Sequence, residues 1–316
     1  MHSKVSVAIP TYNRLAYLKE CLRSVMGQTF RDFSVYVFDN ASSEPVKEAV
    51  KEFGDPRIRF IGSERNTGPT GNINRILRYP FNSEYLIIFH DDDTMHPKIL
   101  EKEAAFLDVH KEAVFVVSGF RQVSGETIRR FQDLGAEEIP FVVYQNQREF
   151  VGAVAKWLRY AFNSAMYRTA FLRSAQMNFE RFSDFADVAF LSEMSKKGPC
   201  AFLNAPLVNY RMHAQQDSRD MKETYETGAI ELLRLYGKIL PLHGYAPNFL
   251  LRAYASINRG LPDFAVFMRK CRQEKVLRYR DFLFLDTRGA VSLASIILKN
   301  KKIIDVARWM RNLLRP

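Results

Sequence analysis

The sequence predicts an α/β fold, a mainly parallel central sheet flanked by helices, followed by a mostly helical C-terminal region. Three observations predict it. In the first part of the chain, short apolar runs alternate with segments whose apolar residues recur at helical spacing. Several of those runs end in polar clusters. Beyond about residue 219 the alternation stops and the sequence becomes helical in pattern and basic. Strands separated by helices of about 10–15 residues make βαβ units, and therefore parallel strands.

The elements follow in order. Lys4–Pro10 is a short apolar run that Pro10 ends, which reads as a buried strand. Leu15–Met26 places Leu15, Leu18, Leu22, Val25 and Met26 on one helical face. Phe33–Phe38 is a second strand ending at Asp39, and Glu44–Phe53 is a charged helix. Arg57–Ile61 alternates and forms a third strand, and Gly68–Arg78 opens with glycines and continues as a helix. Tyr85–Phe89 is a fourth buried strand running into His90-Asp91-Asp92-Asp93. A helix from Pro97 to about Leu107 and a strand at Ala113–Ser118 complete this part. Residues 120–183 are less regular, with a helix near Val151–Tyr160. Asp187–Lys197 reads as a helix stopped by Gly198-Pro199, followed by short strands at Ala201–Leu203 and Val208–Tyr210. Charge and periodicity both change near 215–220, the expected boundary between a domain at 1–218 and a basic region at 219–316.

Composition narrows the class. The chain has 316 residues, 47% hydrophobic and 26% charged, which excludes a mainly disordered chain, a collagen and a coiled coil. It holds no run of about 18 uncharged apolar residues, so no spanning helix is expected. The first ten residues show no signal-peptide pattern. Three scattered cysteines, Cys21, Cys200 and Cys271, form neither a disulfide framework nor a metal cluster and suit a cytoplasmic setting. The net charge of +11 is segregated: residues 1–218 carry 27 Lys and Arg against 26 Asp and Glu, whereas residues 219–316 carry 19 against 9. A basic segment on a neutral body points to a polyanion or an anionic membrane surface.

In open parallel sheets, ligands bind at the carboxyl ends of the strands. Asp39-Asn40 and Asp91-Asp92-Asp93 are expected there. Three consecutive aspartates repel one another unless a cation compensates them. Mg²⁺ or Mn²⁺ does so directly, and such an ion held by one or two carboxylates shares its shell with substrate phosphates. The triplet thus predicts a metal–diphosphate site, against the plainer reading of an acidic turn capping the next helix. Asp39 is placed to accept N–H bonds from a nucleobase edge or to cap the following helix. Pro10-Thr11-Tyr12-Asn13-Arg14 makes a tight turn with a guanidinium placed to meet phosphate.

These residues carry a resemblance. VSVAIPTYNRLAYLKECLRSVMGQTF, VYVFDNAS, RNTGPTGNIN, FHDDDTMHP, FSDFADVAFLSEMSKKG and LVNYRMHAQQDS occur in the order of the motifs of family 2 glycosyltransferases. Over residues 3–218 the chain resembles that family, whose members have the Rossmann-like GT-A fold and move a sugar from a nucleotide-sugar to an acceptor. The resemblance implies roles. Pro10, Thr11, Asn13 and Arg14 border the nucleotide, and Asp39 accepts from a uracil or thymine imide. Asn66, Gly68 and Asn72 lie along the nucleotide-sugar, Asp91 touches the ribose, and Arg211 is a further donor-binding residue. Asp92 binds the metal, Mn²⁺ or Mg²⁺, with Asp93 supporting or sharing it and His213 reaching it or the diphosphate. His90 departs from the family, many of whose members have Asp there. Asp187, opening a helix, is the implied base, with Asp184 the alternative and Glu193 expected to face solvent. A single displacement with such a base inverts the anomeric configuration.

Residues 291–316 carry six basic residues and one acid, Asp305. Ile303, Ile304, Ala307, Met310 and Leu314 recur at helical spacing, with Lys301, Lys302, Arg308, Arg311 and Arg315 placed to flank them. Such a helix lies at an anionic leaflet or packs on the catalytic domain. The resemblance then implies a glycan or lipid-linked glycan acceptor in surface-polysaccharide synthesis, at the inner face of the cell membrane. A sugar nucleotidyltransferase is the competing enzyme, but it has a Gly-rich basic loop where this chain has Pro-Thr-Tyr-Asn-Arg. A nucleic-acid binder is the competing class, and no binding-module signature or interleaved basic-aromatic motif supports it.

Overall fold

The computed structural model describes residues 3–124, 131, 140–156, 158–213, 225–240, 270, 273 and 274. The first seven elements are β1 (Val5–Thr11), α1 (Leu15–Met26), β2 (Phe33–Asp39), α2 (Val46–Glu52), β3 (Ile58–Ile61), α3 (Gly68–Arg78) and β4 (Tyr85–Ile88). Then come β5 (Thr94–Met95), α4 (Ile99–Val109), β6 (Phe115–Ser124), β7 (Phe141–Tyr144), α5 (Gln147–Lys156) and β8 (Met166–Arg168). The last are α6 (Phe179–Phe182), α7 (Ala186–Met194), β9 (Cys200–Met212) and α8 (Tyr225–Ile239).

The chain forms two compact units. One contains the whole sheet, α1–α4 and the segments 159–179 and 190–213; the other contains most of α5, residues 180–189 and α8. The sheet order is β3-β2-β1-β4-β8-β6-β9-β5, with β7 also paired to β9. The long ladders, β1 with β2 and β6 with β9, are parallel, while β8, β5 and β7 pair antiparallel. The expected α/β class is therefore present, with short antiparallel strands added. Because β1 lies between β2 and β4, the strand order reverses there, and the crevice at the carboxyl ends of β1 and β4 is the topological switch point.

The helices bury the faces that their spacing defines. Leu18, Cys21, Leu22 and Val25 of α1 join Val5, Val7 and Ile9 of β1, Val35 and Val37 of β2 and Ile87 of β4 in one core. Each such fully buried aliphatic side chain is worth about 1.5–3 kcal/mol. The α1 N-terminus has no side-chain cap of its own; Glu44 Oε2 accepts the Leu15 N–H at 2.8 Å instead. Gly68 opens α3 at φ +71°, a conformation that favours glycine, with a proline in the first turn.

Several expectations shift in detail. The strand expected at 113–118 runs from Phe115 to Ser124, and the helix expected at 151–160 occupies Gln147–Lys156. The two short strands expected at 201–203 and 208–210 are one strand, Cys200–Met212, held through its irregular middle by β6 with register shifts around Gly119. In the second unit, α8 packs on the turn before α7. A Cβ at Gly228 would lie 2.8 Å from the Phe182 carbonyl carbon, and the rings of Phe185 and Tyr225 are 4.8 Å apart. The basic segment 291–316 lies outside the described residues.

Candidate active site

Strand register builds the site. β1 and β4 are parallel with Ala8 opposite Ile88, so Thr11 and Asp91 stand at the same height, three residues on. Thr11 Oγ1 donates to Asp91 Oδ2 at 2.6 Å. Arg14, at the start of α1, brings Nη1 to 3.5 Å from Asp91 Oδ1 and 3.4 Å from Asp92 Oδ2. All three aspartates are buried.

Their environments differ. Asp92 Oδ2 lies 2.9 Å from His213 Nε2. Burial disfavours the Asp92 charge, but the His213 hydrogen bond and the positive charges of His90 and Arg14 outweigh it and hold the carboxyl below the usual range. Asp93 accepts from Asn163 Nδ2 at 2.6 Å and from the Arg211 backbone N–H at 2.7 Å. Burial, and then the Asp92 charge, push its carboxyl well above the usual range. One ligand atom from each of His90, Asp92 and Asp93 can be chosen so that all lie within 4.8 Å of one another. Two carboxylates and an imidazole at this spacing fit a divalent cation, and a nitrogen ligand favours Mn²⁺ over Mg²⁺.

The other side of the crevice is formed by β2 and α3. Asp39 is buried at the end of β2, and its carboxylate accepts the Ser42 N–H at 3.3 Å. Arg75 Nη2 donates to the backbone oxygens of Asp39 at 3.0 Å and Ile61 at 2.8 Å. Its Nε and Nη1 are buried with no partner among the described residues. Asn72 donates to the Phe38 carbonyl at 2.9 Å and leaves Oδ1 without a partner there. Asn66 Oδ1 accepts from Asn40 Nδ2 at 2.7 Å and from the Gly68 N–H at 2.8 Å, which fixes the entry to α3. Asn13, at φ +51°, accepts the Ser43 N–H at 2.8 Å and so ties the turn after β1 to the turn after β2. Pro10 pairs with Phe38 one residue before Thr11.

The structure thus brings Thr11, Arg14, Asp91, Asp92, Asp93, His213 and the Arg211 backbone into one cluster. The Arg211 guanidinium is turned into the protein, with Nε donating to the Asp92 carbonyl at 2.9 Å and Nη2 paired with Glu20. Sequence reasoning missed Glu20, Arg75 and Asn163, and took His90 only as a departure. The spacing of Glu20 from Leu18 and Leu22 gives no sign of a partner 191 residues away.

Asp184 and Asp187 belong to the second unit. Asp184 lies in the 3₁₀ turn Ser183–Phe185 and Asp187 in the first turn of α7. Burial raises both carboxyls to about 6, with the Asp184 charge adding to the effect on Asp187. Asp187 Oδ1 accepts the Val188 N–H at 2.6 Å, and Asp184 Oδ1 is buried without a partner among the described residues. Ser183 between α6 and α7 holds φ +47°, a left-handed residue at the turn before α7.

Comparison with known proteins decides the family. The model of Glycosyl transferase family 2 matches residues 6–173, more than half of the chain.

The chain belongs to glycosyl transferase family 2.

This glycosyltransferase is 33% identical over 134 residues to an uncharacterized glycosyltransferase, MJ1057, of Methanocaldococcus jannaschii, covering 40% of the chain and 46% of that relative. It is 27% identical over 180 residues to the poly(ribitol-phosphate) β-N-acetylglucosaminyltransferase TarS of Staphylococcus aureus, covering 56% of the chain and 29% of TarS. A β-1,3-glucosyltransferase of Campylobacter jejuni acting on GalNAc(5)-diNAcBac-PP-undecaprenol is 34% identical over 95 residues, covering 29% of the chain and 30% of the relative. The matches to these curated relatives therefore span less than half of their length. The crystal structure of S. aureus TarS 1–349 with UDP-GlcNAc superposes with a TM-score of 0.63 at 19% identity, covering 97% of the chain and 92% of that structure. That likeness establishes the GT-A fold of this family 2 enzyme.

Proposed function

We propose that this glycosyltransferase moves a sugar from a UDP- or dTDP-sugar to a hydroxyl of a glycan or lipid-linked glycan, with inversion and with the help of Mn²⁺ or Mg²⁺. The observation that carries the reading is the buried cluster of Thr11, Arg14, Asp91, Asp92, Asp93 and His213 at the switch point. A bound divalent ion would stabilise the charge that develops on the departing diphosphate. His90, Asp92 and Asp93 are the residues to hold it, with His213 on Asp92.

The protein's own groups do the remaining work. The Asp39 carboxylate accepts the N–H of a pyrimidine imide. Arg75 acts from behind the pocket, its Nη2 holding the Asp39 and Ile61 carbonyls so that the Asp39 carboxylate keeps its place at the end of β2. Pro10 and Asn13 shape the turn against the nucleotide, and Asn66, Gly68 and Asn72 set the α3 end along it. Asp91, held by Thr11, accepts from a ribose hydroxyl. Arg14 adds positive charge beside the diphosphate, while Arg211 acts from behind by fixing Asp92 and Asp93. Asp187 takes the acceptor hydroxyl's proton as that oxygen attacks the anomeric carbon, and Asp184 adjusts its charge.

The acceptor class rests on the relatives, whose names specify a poly(ribitol-phosphate) and an undecaprenol-diphosphate glycan. TarS also supplies the precedent for a UDP-sugar. No helix among the described residues is long and apolar enough to cross a membrane. The charge and periodicity of 291–316 support peripheral attachment to an anionic membrane at its cytoplasmic face. The test is a thermal-shift panel of nucleotide-sugars with and without Mn²⁺ or Mg²⁺. UDP- or dTDP-sugars should raise the melting temperature when metal is present. A shift confined to GDP-sugars, or independent of metal, would contradict the reading.

A further inference from the structure

Helix α1 carries a polar stripe beside its apolar face. Tyr17, Glu20, Cys21, Ser24 and Gln28 follow one another at i, i+3, i+4, i+7 and i+11, so they lie along one side of the helix and its exit. Each of them meets the acid loop, the segment that follows it as far as the start of α4, or the end of β9. Cys21 Sγ donates to the His90 carbonyl at 3.4 Å, and Ser24 Oγ accepts the Met95 N–H at 3.2 Å. Gln28 donates to the His96 carbonyl at 2.8 Å and accepts the Leu100 N–H at 3.2 Å. Glu20 pairs with the Arg211 guanidinium, whose side chain is only 3% exposed. The Tyr17 ring stands 4.7 Å from the Arg211 guanidinium carbon and 4.8 Å, centroid to centroid, from the His213 ring.

The two pairs at the N-terminal end of the stripe have a particular consequence. Arg211 touches both acids of the candidate metal site, through Nε to the Asp92 carbonyl and through its backbone N–H to Asp93 Oδ1. Without Glu20 that guanidinium would lose the carboxylate on its Nη2, and Asp92 and Asp93 are the acids beside it. His213 meets Asp92 through Nε2, while its Nδ1 is buried with no partner among the described residues. A metal-site histidine is ordinarily oriented by a hydrogen bond from its second nitrogen. Here the ring packed against His213 is Tyr17, tilted 49° to the imidazole.

We infer that Tyr17 and Glu20 are positioning residues that hold His213 and Arg211 so that Asp92 and Asp93 present their oxygens to a divalent cation. The inference rests on the metal–diphosphate reading above and adds to it the splint that sets the site's geometry. Neither residue touches the donor; each acts through its partner on β9 or the residue just after it.

The test is Mn²⁺ binding to the full chain in the presence of UDP, read from the electron paramagnetic resonance signal of free Mn²⁺. The variants are Glu20→Gln, Tyr17→Leu, Tyr17→Phe and, as a reference, Asp92→Ala, each with its melting temperature. Glu20→Gln and Tyr17→Leu should weaken Mn²⁺ binding about 10–100-fold, the usual effect of losing an outer-shell partner. Tyr17→Phe keeps the ring and should bind as the wild type does. Glu20→Gln is nearly isosteric and partly exposed, so it decides the matter if Tyr17→Leu does not fold. Wild-type affinity in Glu20→Gln alongside loss in Asp92→Ala would overturn the splint alone. Wild-type affinity in both would overturn the metal reading and the splint with it.

Discussion

Asp187→Asn offers a prediction with two readouts of opposite sign. Burial holds the Asp187 carboxyl at about 6, against an ordinary value near 3.9. As a base it must be ionised, so activity is complete above about pH 7 and falls as pH drops through 6. With one titration at that value, kcat at saturating donor should be about tenfold lower at pH 5 than at pH 7. Removing the base should cost about 10²–10⁴ in kcat, or roughly 3–5 kcal/mol of barrier. Stability runs the other way. A raised carboxyl means that the fold binds more protons than the unfolded chain between about pH 4 and 6, so stability is lost as pH rises through that window. Above it the loss from Asp187 amounts to roughly 3 kcal/mol. The asparagine variant keeps an oxygen for the Val188 N–H and escapes this cost. It should therefore be inactive, yet more resistant to urea at pH 8 and no more resistant at pH 4. The assays are kcat against pH and urea midpoints at the two pH values. An active variant with the acid limb unchanged would refute the base, and a variant weaker than wild type at pH 8 would refute the burial argument.

Other perturbations follow from the same structure. Glu103 of α4 is fully buried, and burial, offset only in part by the nearby Ser118 hydroxyl, pushes its carboxyl well above the usual range. Glu103→Met should raise stability by about 1–3 kcal/mol at pH 8, where the wild type is penalised, and by less at pH 5; equal urea midpoints at pH 8 would contradict this. Gly228→Ala sets a Cβ against the Phe182 carbonyl and should destabilise by about 1–3 kcal/mol and lower kcat without weakening UDP binding. A higher melting temperature, as helix propensity alone would give, would show that α8 does not need this close approach. Deleting 291–316 should release the protein from vesicles rich in anionic lipid, and equal pelleting with and without the segment would reject the membrane attachment.

Much of the fold is written in periodicity. Helices α1 and α3 begin and end where their spacing places them, because Gly27 and Gly68 mark ends that the apolar stripe also respects. β1, β2 and β4 are legible because each is a short, mostly apolar run buried on both faces. β5, β7 and β8 are not: β5 and β8, of two and three residues, are too short to show a period, and β7 lies in the irregular stretch 120–183. Asn204-Ala205-Pro206 looks like a break between two strands, and pairing with β6 carries β9 through it. At the site, Asp39 and Asp91–Asp93 stand out because they sit at strand mouths. Glu20, Arg75 and Asn163 are ordinary residues in sequence, and their partners become neighbours only when α1, α3 and the 162–164 turn fold against the sheet.

The central claim is that the loop at His90–Asp93 holds a divalent ion that grips the donor's diphosphate. Isothermal titration of UDP into wild type and Asp92→Ala, each with and without Mn²⁺, tests it most directly. The account predicts that Mn²⁺ tightens UDP binding to the wild type and has no effect on Asp92→Ala. Equal tightening in both proteins would contradict it.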